Sequence, residues 1–379
     1  GVVGEGKGAE VSGEGAEPTG ETTGEGVSGE GAVPVGTAGV GAVAKVDPED
    51  LLTPYEQIKV EGSSESKNPE SGILVPSNMV EGSKNSLEKL VKEVGPLDDY
   101  VVKELGYDSK DDMFSKLFGV QIDGIALAIY QLKKGSGFVI ADQTGLGKGR
   151  QAAALLRWAK RNGKVPIFIT ANANLFTPLY QDGIDIGETF NPFILNNADP
   201  RSRIIGPNKE VIHGKITDKK FNENIAEIAK GNLPKGKTEI FATYSQFSST
   251  AFRQKRDAFL EIAPNALFVL DEMHNAAGED SNTNRFFMEL IKRGRGNGTV
   301  YLSATFAKRA TNLPILFTTD LGKATDGNLD ALVDLAQEGG LPLQRLVSAA
   351  LAETGQMVRR QSSYKGIDVL IKSPDTNTP

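Results

Sequence analysis

The stretch ADQTGLGKGR, Ala141 to Arg150, decides how the rest of this 379-residue sequence is read. Ahead of it lies GFVI, Gly137 to Ile140, a short apolar run with strand character. Behind it lies QAAALLRWAKR, residues 151–161, with apolar residues at helical spacing. Strand, glycine-rich turn and helix in that order are the setting a phosphate-binding loop needs. Gly145 and Gly147 let the backbone approach an anion, and the amides at the helix start point at it, aided by the helix dipole. Lys148 follows directly and can reach the β- and γ-phosphates of a nucleotide. With Thr144, Leu146, Gly149 and Arg150 these residues make up the candidate nucleotide-binding loop. Two positions depart from the general pattern GxxxxGK[ST]. Asp142 stands where the first Gly belongs, and Gly149 stands where a hydroxyl would hold Mg²⁺. A plain strand-to-helix turn has the same local signature, so the loop draws its weight from what lies downstream.

Downstream, strands and helices alternate, which predicts an α/β fold with a parallel sheet. VPIFIT (Val165–Thr170) reads as a buried strand, and TEIFATYSQF (Thr238–Phe247) as a strand ending in a polar turn. Residues 196–236, between them, are polar and predict weak order. ALFVL, Ala266 to Leu270, is a continuous apolar run suited to a central parallel strand. Asp271 and Glu272 sit at its C-terminal end, where α/β sheets place ligand sites. Asp271 is the candidate metal residue, holding Mg²⁺ directly or through water, and Glu272 the residue that orients and deprotonates an attacking water. The alternative is an acidic pair in a surface loop. His274 follows two residues later, and TVYLSAT ends in Ser303-Ala304-Thr305, whose small hydroxyls can hydrogen-bond the acidic motif and relay its state. Residues 329–354 read as helices, and a last strand is expected within Gln356–Ile371.

Upstream, the sequence changes character. Residues 1–46 are rich in Gly and Glu, with VSGEGAEP (Val11–Pro18) returning as VSGEGAVP (Val27–Pro34), and they predict a flexible acidic tail. LLTPYEQIKV, Leu51 to Val60, reads as a docking segment or a local strand. NSLEKLVKEV (Asn85–Val94) and the stretches at Asp98–Leu105 and Lys110–Phe118 read as helices. VQIDGIALAIYQLKKG, Val120 to Gly135, predicts a helix leading into the loop strand. Its Gln121 is either an adenine reader or a surface glutamine.

Charge divides the chain the same way. Residues 1–100 carry 19 Asp/Glu against 7 Lys/Arg, so the chain's −7 conceals a body of +5 over residues 101–379. That mild basicity is compatible with nucleic acid but lacks the strong footprint of a dedicated binder. Nucleic-acid contacts are expected at the strand ends near Thr170 and Thr243 and at KRGR, Lys292 to Arg295, which reads equally as a solvated turn. The sequence has no cysteine, which excludes disulfides and thiolate zinc sites. It has no apolar run long enough for a membrane span and no secretory signal, and a cytoplasmic protein is the expectation. The start at Gly1 rather than Met suggests a processed product or a piece of a longer chain.

Taken in order, these motifs resemble the first motor domain of superfamily 2 DExH helicases, and most closely the strawberry notch group with its phage and mobile-element relatives. That group carries Gly-Lys-Gly-Arg in its loop, as here at Gly147–Arg150. DGIDIG (Asp182–Gly187), ATYS (Ala242–Ser245), the DEMH box (Asp271–His274), YLSAT (Tyr301–Thr305) and GQMVRRQSSYKGIDV (Gly355–Val369) match in sequence order. The resemblance implies a RecA-like P-loop NTPase domain over 120–372. A helical accessory unit (76–119) and a disordered tail and linker (1–75) precede it, and a short tail (373–379) follows. It implies ATP and Mg²⁺ as cofactors, adenine recognition by Gln121, phosphate binding by Lys148, catalysis by Asp271 and Glu272, and coupling through His274, Ser303 and Thr305. It also implies DNA, bound without sequence preference, and a second motor domain from the same longer protein or another chain. That second domain would bring the arginine fingers, for which Arg359 and Arg360 are not placed. The rival expectation is a processed virion component that keeps the fold as a scaffold or a nucleotide-gated binding module.

Overall fold

A computed structural model describes residues 54–69, 72–248, 253–272, 282–303, 316, 318–324 and 329–363. Strands β1 (Tyr55–Glu56) and β2 (Ile73–Pro76) lead into helices α1 (Ser77–Val94), α2 (Leu97–Leu105), α3 (Lys110–Phe114) and α4 (Gly119–Lys133). Strand β3 (Phe138–Ile140) precedes the glycine-rich turn, and α5 (Lys148–Arg161) leaves it. Next come β4 (Val165–Thr170), α6 (Phe176–Asp185), β5 (Pro192–Ile194), a hairpin of β6 (Ile204–Ile205) and β7 (Val211–His213), and α7 (Asp218–Ile228). Strands β8 (Glu239–Thr243), β9 (Ala266–Asp271) and β10 (Thr299–Leu302) alternate with α8 (Arg253–Ile262) and α9 (Asn282–Gly294). Helices α10 (Asp320–Ala324) and α11 (Leu329–Glu353) precede the short strands β11 (Met357–Val358) and β12 (Gln361–Ser362).

Among the described residues, seven strands form one parallel sheet in the order β11–β3–β10–β9–β4–β8–β5. Parallel pairing brings every C-terminal strand end to one edge. There Leu302 pairs with both Ile140 and Asp271, so the loop strand, the acidic strand and the strand before Ser303 end level. The chain leaves β3 through α5 and enters β4 beyond β10 and β9, so the phosphate loop and the carboxylates meet over the middle of the sheet.

Both faces of the sheet are buried, which explains the continuous apolar strands. Phe138, Ile140, Phe168, Phe241, Leu267 and Val269 pack into one core with α2, α4, α5 and α6. Their alternates Val139, Ile167, Ile169, Ile240, Phe268 and Leu270 pack into a second core with α7, α8 and α9. Each such side chain contributes about 1.5–3 kcal/mol when fully buried. Helices α1 and α2 belong to the same packing: Leu87, Leu97, Val101 and Leu105 lie in the first core with Phe138.

Several expectations meet a different structure. The polar stretch 196–236 contains the β6–β7 hairpin and α7, started by the Thr217 hydroxyl accepting the Lys220 amide at 3.3 Å. Phe221, Ile225 and Ile228 recur at helical spacing there, with Ile225 and Ile228 buried, and the surrounding Lys, Asn and Glu dilute that signal. Residues 329–353 form one helix that carries Pro342 inside it. The end of the domain is two short strands rather than one, and residues 364–371 of the expected last strand lie outside the described residues. So do residues 1–53, including the acidic repeat and the start of Leu51–Val60, of which Tyr55–Glu56 forms β1.

Candidate active site

The loop between β3 and α5 is built around Gly147, whose φ of +73° caps the helix in a left-handed conformation that a side chain resists. A Cβ at Gly147 would also stand 2.2 Å from Nε2 of Gln121. Gly145 has φ of +99°, and the space where a side chain would stand is open. Thr144 and Gly145 are exposed, whereas the Leu146 side chain is buried and anchors the turn. The Lys148 ammonium donates to the Asp142 carbonyl at 2.6 Å. Burial lowers its pKa below the ordinary lysine value, while Asp142, Glu272 and Asp271 pull in the opposite direction. The loop lysine therefore lies within the electrostatic reach of both carboxylates.

Those carboxylates sit at the end of β9. Asp271 accepts the Thr170 hydroxyl on Oδ2 at 2.8 Å, and its carbonyl accepts the Tyr244 hydroxyl at 2.9 Å. Its carboxyl is pushed up to about 6, first by burial and then by neighbouring Glu272, with the Thr170 hydrogen bond and Lys148 opposing. Glu272 has φ of +50°, an uncommon conformation for a residue with a side chain, and its amide donates to the Leu302 carbonyl at 2.8 Å. The chain turns sharply there, at the level where β9 and β10 end. Ser303 is fully buried beside it, with its amide on the Ile140 carbonyl at 3.1 Å. His274 and Thr305 lie outside the described residues.

Gln121 is buried rather than on the surface, and both ends of its amide are engaged. Oε1 caps α4 by accepting the Phe118 amide at 3.0 Å, and Nε2 donates to the Leu146 carbonyl of the loop at 3.0 Å. By count the amide keeps one further N–H and one lone pair, on a side chain that is only 1% exposed. Arg150 adds its amide to the start of α5, but its guanidinium turns to α6, donating to Asp185 at 3.0 Å and to the Lys116 carbonyl at 3.3 Å. A side chain at 149 would have to displace a neighbouring carboxylate. A Cβ on Gly149 would stand 2.0 Å from Oδ2 of Asp182, whose carboxyl is pushed up to about 6 by burial.

The expected nucleic-acid contacts separate. The hydroxyls of Thr170 and Thr243 are buried and committed, the first to Asp271 and the second to Asn196 at 2.8 Å and Ser245 at 2.8 Å. Lys292 to Gly294 close α9, just before β10 begins at Thr299, so KRGR lies at the opposite edge of the sheet from the loop and these strand ends. Arg293 there faces Glu261 and Glu289, each at 3.3 Å. A shared basic track through all three positions is therefore not what the fold provides.

Among the described residues no group of three His, Cys, Asp or Glu could hold a metal by itself. Mg²⁺ at nucleotide sites is commonly held by one or two carboxylates and completed by phosphate oxygens and water. Asp271 beside Lys148, together with the open backbone at Gly145, has the donor chemistry for such an arrangement.

This is the layout of a RecA-like P-loop NTPase. The family model described as P-loop containing NTP hydrolase pore-1 matches residues 110–377, and the chain belongs to that family. The resemblance to the strawberry notch group is borne out by two relatives. Protein strawberry notch from Drosophila melanogaster is 25% identical over 359 residues, covering 87% of this chain and 20% of the relative. The strawberry notch homolog of Caenorhabditis elegans is 21% identical over 248 residues, covering 62% and 12%. The chain thus spans a fifth or less of the length of these relatives. The Sulfolobus solfataricus SWI2/SNF2 ATPase core in complex with dsDNA superposes with a TM-score of 0.46 at 16% identity, covering 65% of this chain and 45% of that one. The core domain of that ATPase gives 0.43 at 16% identity, covering 64% and 42%. No helix among the described residues is long and apolar enough to cross a membrane.

Sequence reasoning missed the loop's own supports. Asp142, read only as a departure from the motif, is fully buried and bonded to Arg360 and Gln151. The signal available was a charged residue inside an otherwise apolar strand end, which is costly unless paired.

Proposed function

We propose that this chain is the ATP-binding half of a DNA helicase or translocase motor, working in the cytoplasm. One observation carries the reading: Lys148 follows β3 and Asp271 and Glu272 close β9, the two strands that flank β10 and end level with it, and both carboxylates act on the lysine. The α5 amides and Lys148 bind the β- and γ-phosphates, with the ammonium exchanging the Asp142 carbonyl for phosphate oxygen. Gln121 reads the adenine edge with its remaining donor and acceptor. Asp271, held by Thr170 and Tyr244, would hold Mg²⁺, which would neutralise charge on the phosphates. Glu272 orients the attacking water and accepts its proton, a role for which the sharp turn at its backbone suits it.

Coupling to nucleic acid follows the same contacts. Thr170 and Tyr244 end one strand and begin one strand-end turn, and both touch Asp271. DNA lying on the loops after β4 and β8 would therefore act on the Asp271 carboxylate through Thr170 and on its backbone carbonyl through Tyr244, and Ser303 would follow from β10. Phosphate contacts there carry little sequence preference. A second motor domain supplies the arginine fingers, worth about 10³–10⁵ in rate in related phosphoryl-transfer systems.

The test is ATP turnover by this chain and by Glu272→Gln, with and without single-stranded and duplex DNA. DNA-stimulated turnover that Glu272→Gln abolishes is expected once a second domain is supplied, and slow turnover without it. Nucleotide bound by both proteins with no turnover under any condition would favour the nucleotide-gated module instead.

A further inference from the structure

The phosphate loop is held from outside by one arginine. Arg360, between β11 and β12, donates from Nε to Oδ1 of Asp142 at 2.9 Å and from Nη2 to Oδ2 at 2.6 Å. Nη1 donates to the Val120 carbonyl, next to Gln121, and Nη2 also donates to Oε1 of Gln151 at 3.2 Å. Gln151, in the first turns of α5, closes the ring by donating to Oδ2 of Asp142 at 3.0 Å. Arg360 is 7% exposed, and Asp142 and Gln151 are 0% exposed, so the ring is buried. The backbone joins in: the Gln143 amide donates to the Arg360 carbonyl at 2.8 Å. Helix α4 makes room for it, since a Cβ on Gly124 would meet Oε1 of Gln151 at 2.7 Å and Nη2 of Arg360 at 2.9 Å.

We infer that Arg360 is a positioning residue for nucleotide binding, a conclusion that rests on the functional reading above. Asp142 starts the loop and Gln151 lies just past its end, so one guanidinium fixes both ends of the turn relative to each other. Through Val120 it also fixes α4, whose Gln121 holds the Leu146 carbonyl at the middle of the turn. The general motif has Gly in place of Asp142 and needs no such partner. Here a buried carboxylate occupies that position, and the flat, five-donor fork of arginine satisfies both its oxygens at once, which lysine cannot do. Any pull on β11 or β12 reaches the loop through this side chain.

The experiment compares Arg360→Lys, Arg360→Met and a control, Arg157→Met, in the full chain. Arg157 is a half-buried arginine whose Nε donates to the Leu105 carbonyl at 2.8 Å, away from the loop, so its loss reports general destabilisation. Hydrogen exchange is measured on the amides of residues 143–147 without ligand, and binding of a fluorescent ATP analogue with Mg²⁺ is measured below every melting transition. Both Arg360 variants are expected to speed loop exchange at least tenfold and to weaken binding at least tenfold, Lys less than Met. Arg157→Met is expected to change neither. Loop exchange in Arg360→Met equal to that in the control would overturn the inference whatever the nucleotide does. An unmodified chain that binds no nucleotide, with a loop that still loosens in Arg360→Met, would sink the functional reading and leave the brace.

Discussion

Restoring the general loop motif should harm this protein. Gly149 is helical, and in an ordinary helix Gly→Ala gains about 1 kcal/mol. Here the new Cβ would stand 2.0 Å from Oδ2 and 3.1 Å from Cγ of Asp182 on α6, so that carboxylate must move away from α5. Its nearest contact with Arg150, at 3.8 Å, goes with it and is worth at most about 1 kcal/mol at this partly exposed site. Overpacking of this kind costs about 1–3 kcal/mol. Gly149→Ala should therefore lose up to about 2 kcal/mol net, and in an Asp182→Ala background the same change should gain about 1 kcal/mol. Urea unfolding of the four proteins measures the coupling, expected at about 1–3 kcal/mol. Additivity within about 0.5 kcal/mol would refute the steric account. Gly149→Thr extends the test to function: its added hydroxyl should not improve nucleotide binding, because Asp182 contests the space.

Three further outcomes follow from the site and its strand. Glu272→Gly should abolish turnover in a phosphate-release assay. It should also stabilise the fold by up to about 1 kcal/mol, because left-handed backbone costs an L-residue about 1–2 kcal/mol and the greater freedom of unfolded Gly offsets part of that. Tyr244→Phe should cost about 1–2 kcal/mol in urea and slow turnover, since it removes the hydroxyl on the Asp271 carbonyl. Glu239, fully buried at the start of β8, has its carboxyl raised from 4.5 to about 7 by burial. Between those values the folded state holds a proton that the unfolded state has released, so stability falls as pH rises through that window and the deficit is complete above about 7. Glu239→Gln should therefore gain roughly 1–3 kcal/mol at pH 8 and little at pH 4.5, read from denaturant midpoints.

The parts legible in the sequence are those written in contiguous residues. ALFVL must be a strand covered on both faces, and it is β9 with both neighbours parallel. The loop is legible because Gly145, Gly147 and Lys148 fall within four residues at the junction of a strand and a helix. What escaped is nonlocal. Asp142 and Arg360 are 218 residues apart, and only the pairing of β11 with β3 brings them together. Gly149 looked like a lost metal ligand until Asp182 on α6 filled the space beside it. KRGR is basic by composition, but a short run of charge says nothing of which sheet edge it occupies, and α9 sets it at the far one. In the stretch 196–236 three apolar residues at helical spacing were enough for α7, because α8 and the sheet edge supply the rest of its burial.

The most direct test of the account is equilibrium binding of ATP with Mg²⁺ to the unmodified chain and to Lys148→Ala, followed by calorimetry without DNA. The account predicts one saturable site in the unmodified chain and at least a tenfold loss in Lys148→Ala, equivalent to about 1.4 kcal/mol. No binding by the unmodified chain, or equal binding by both, would contradict it.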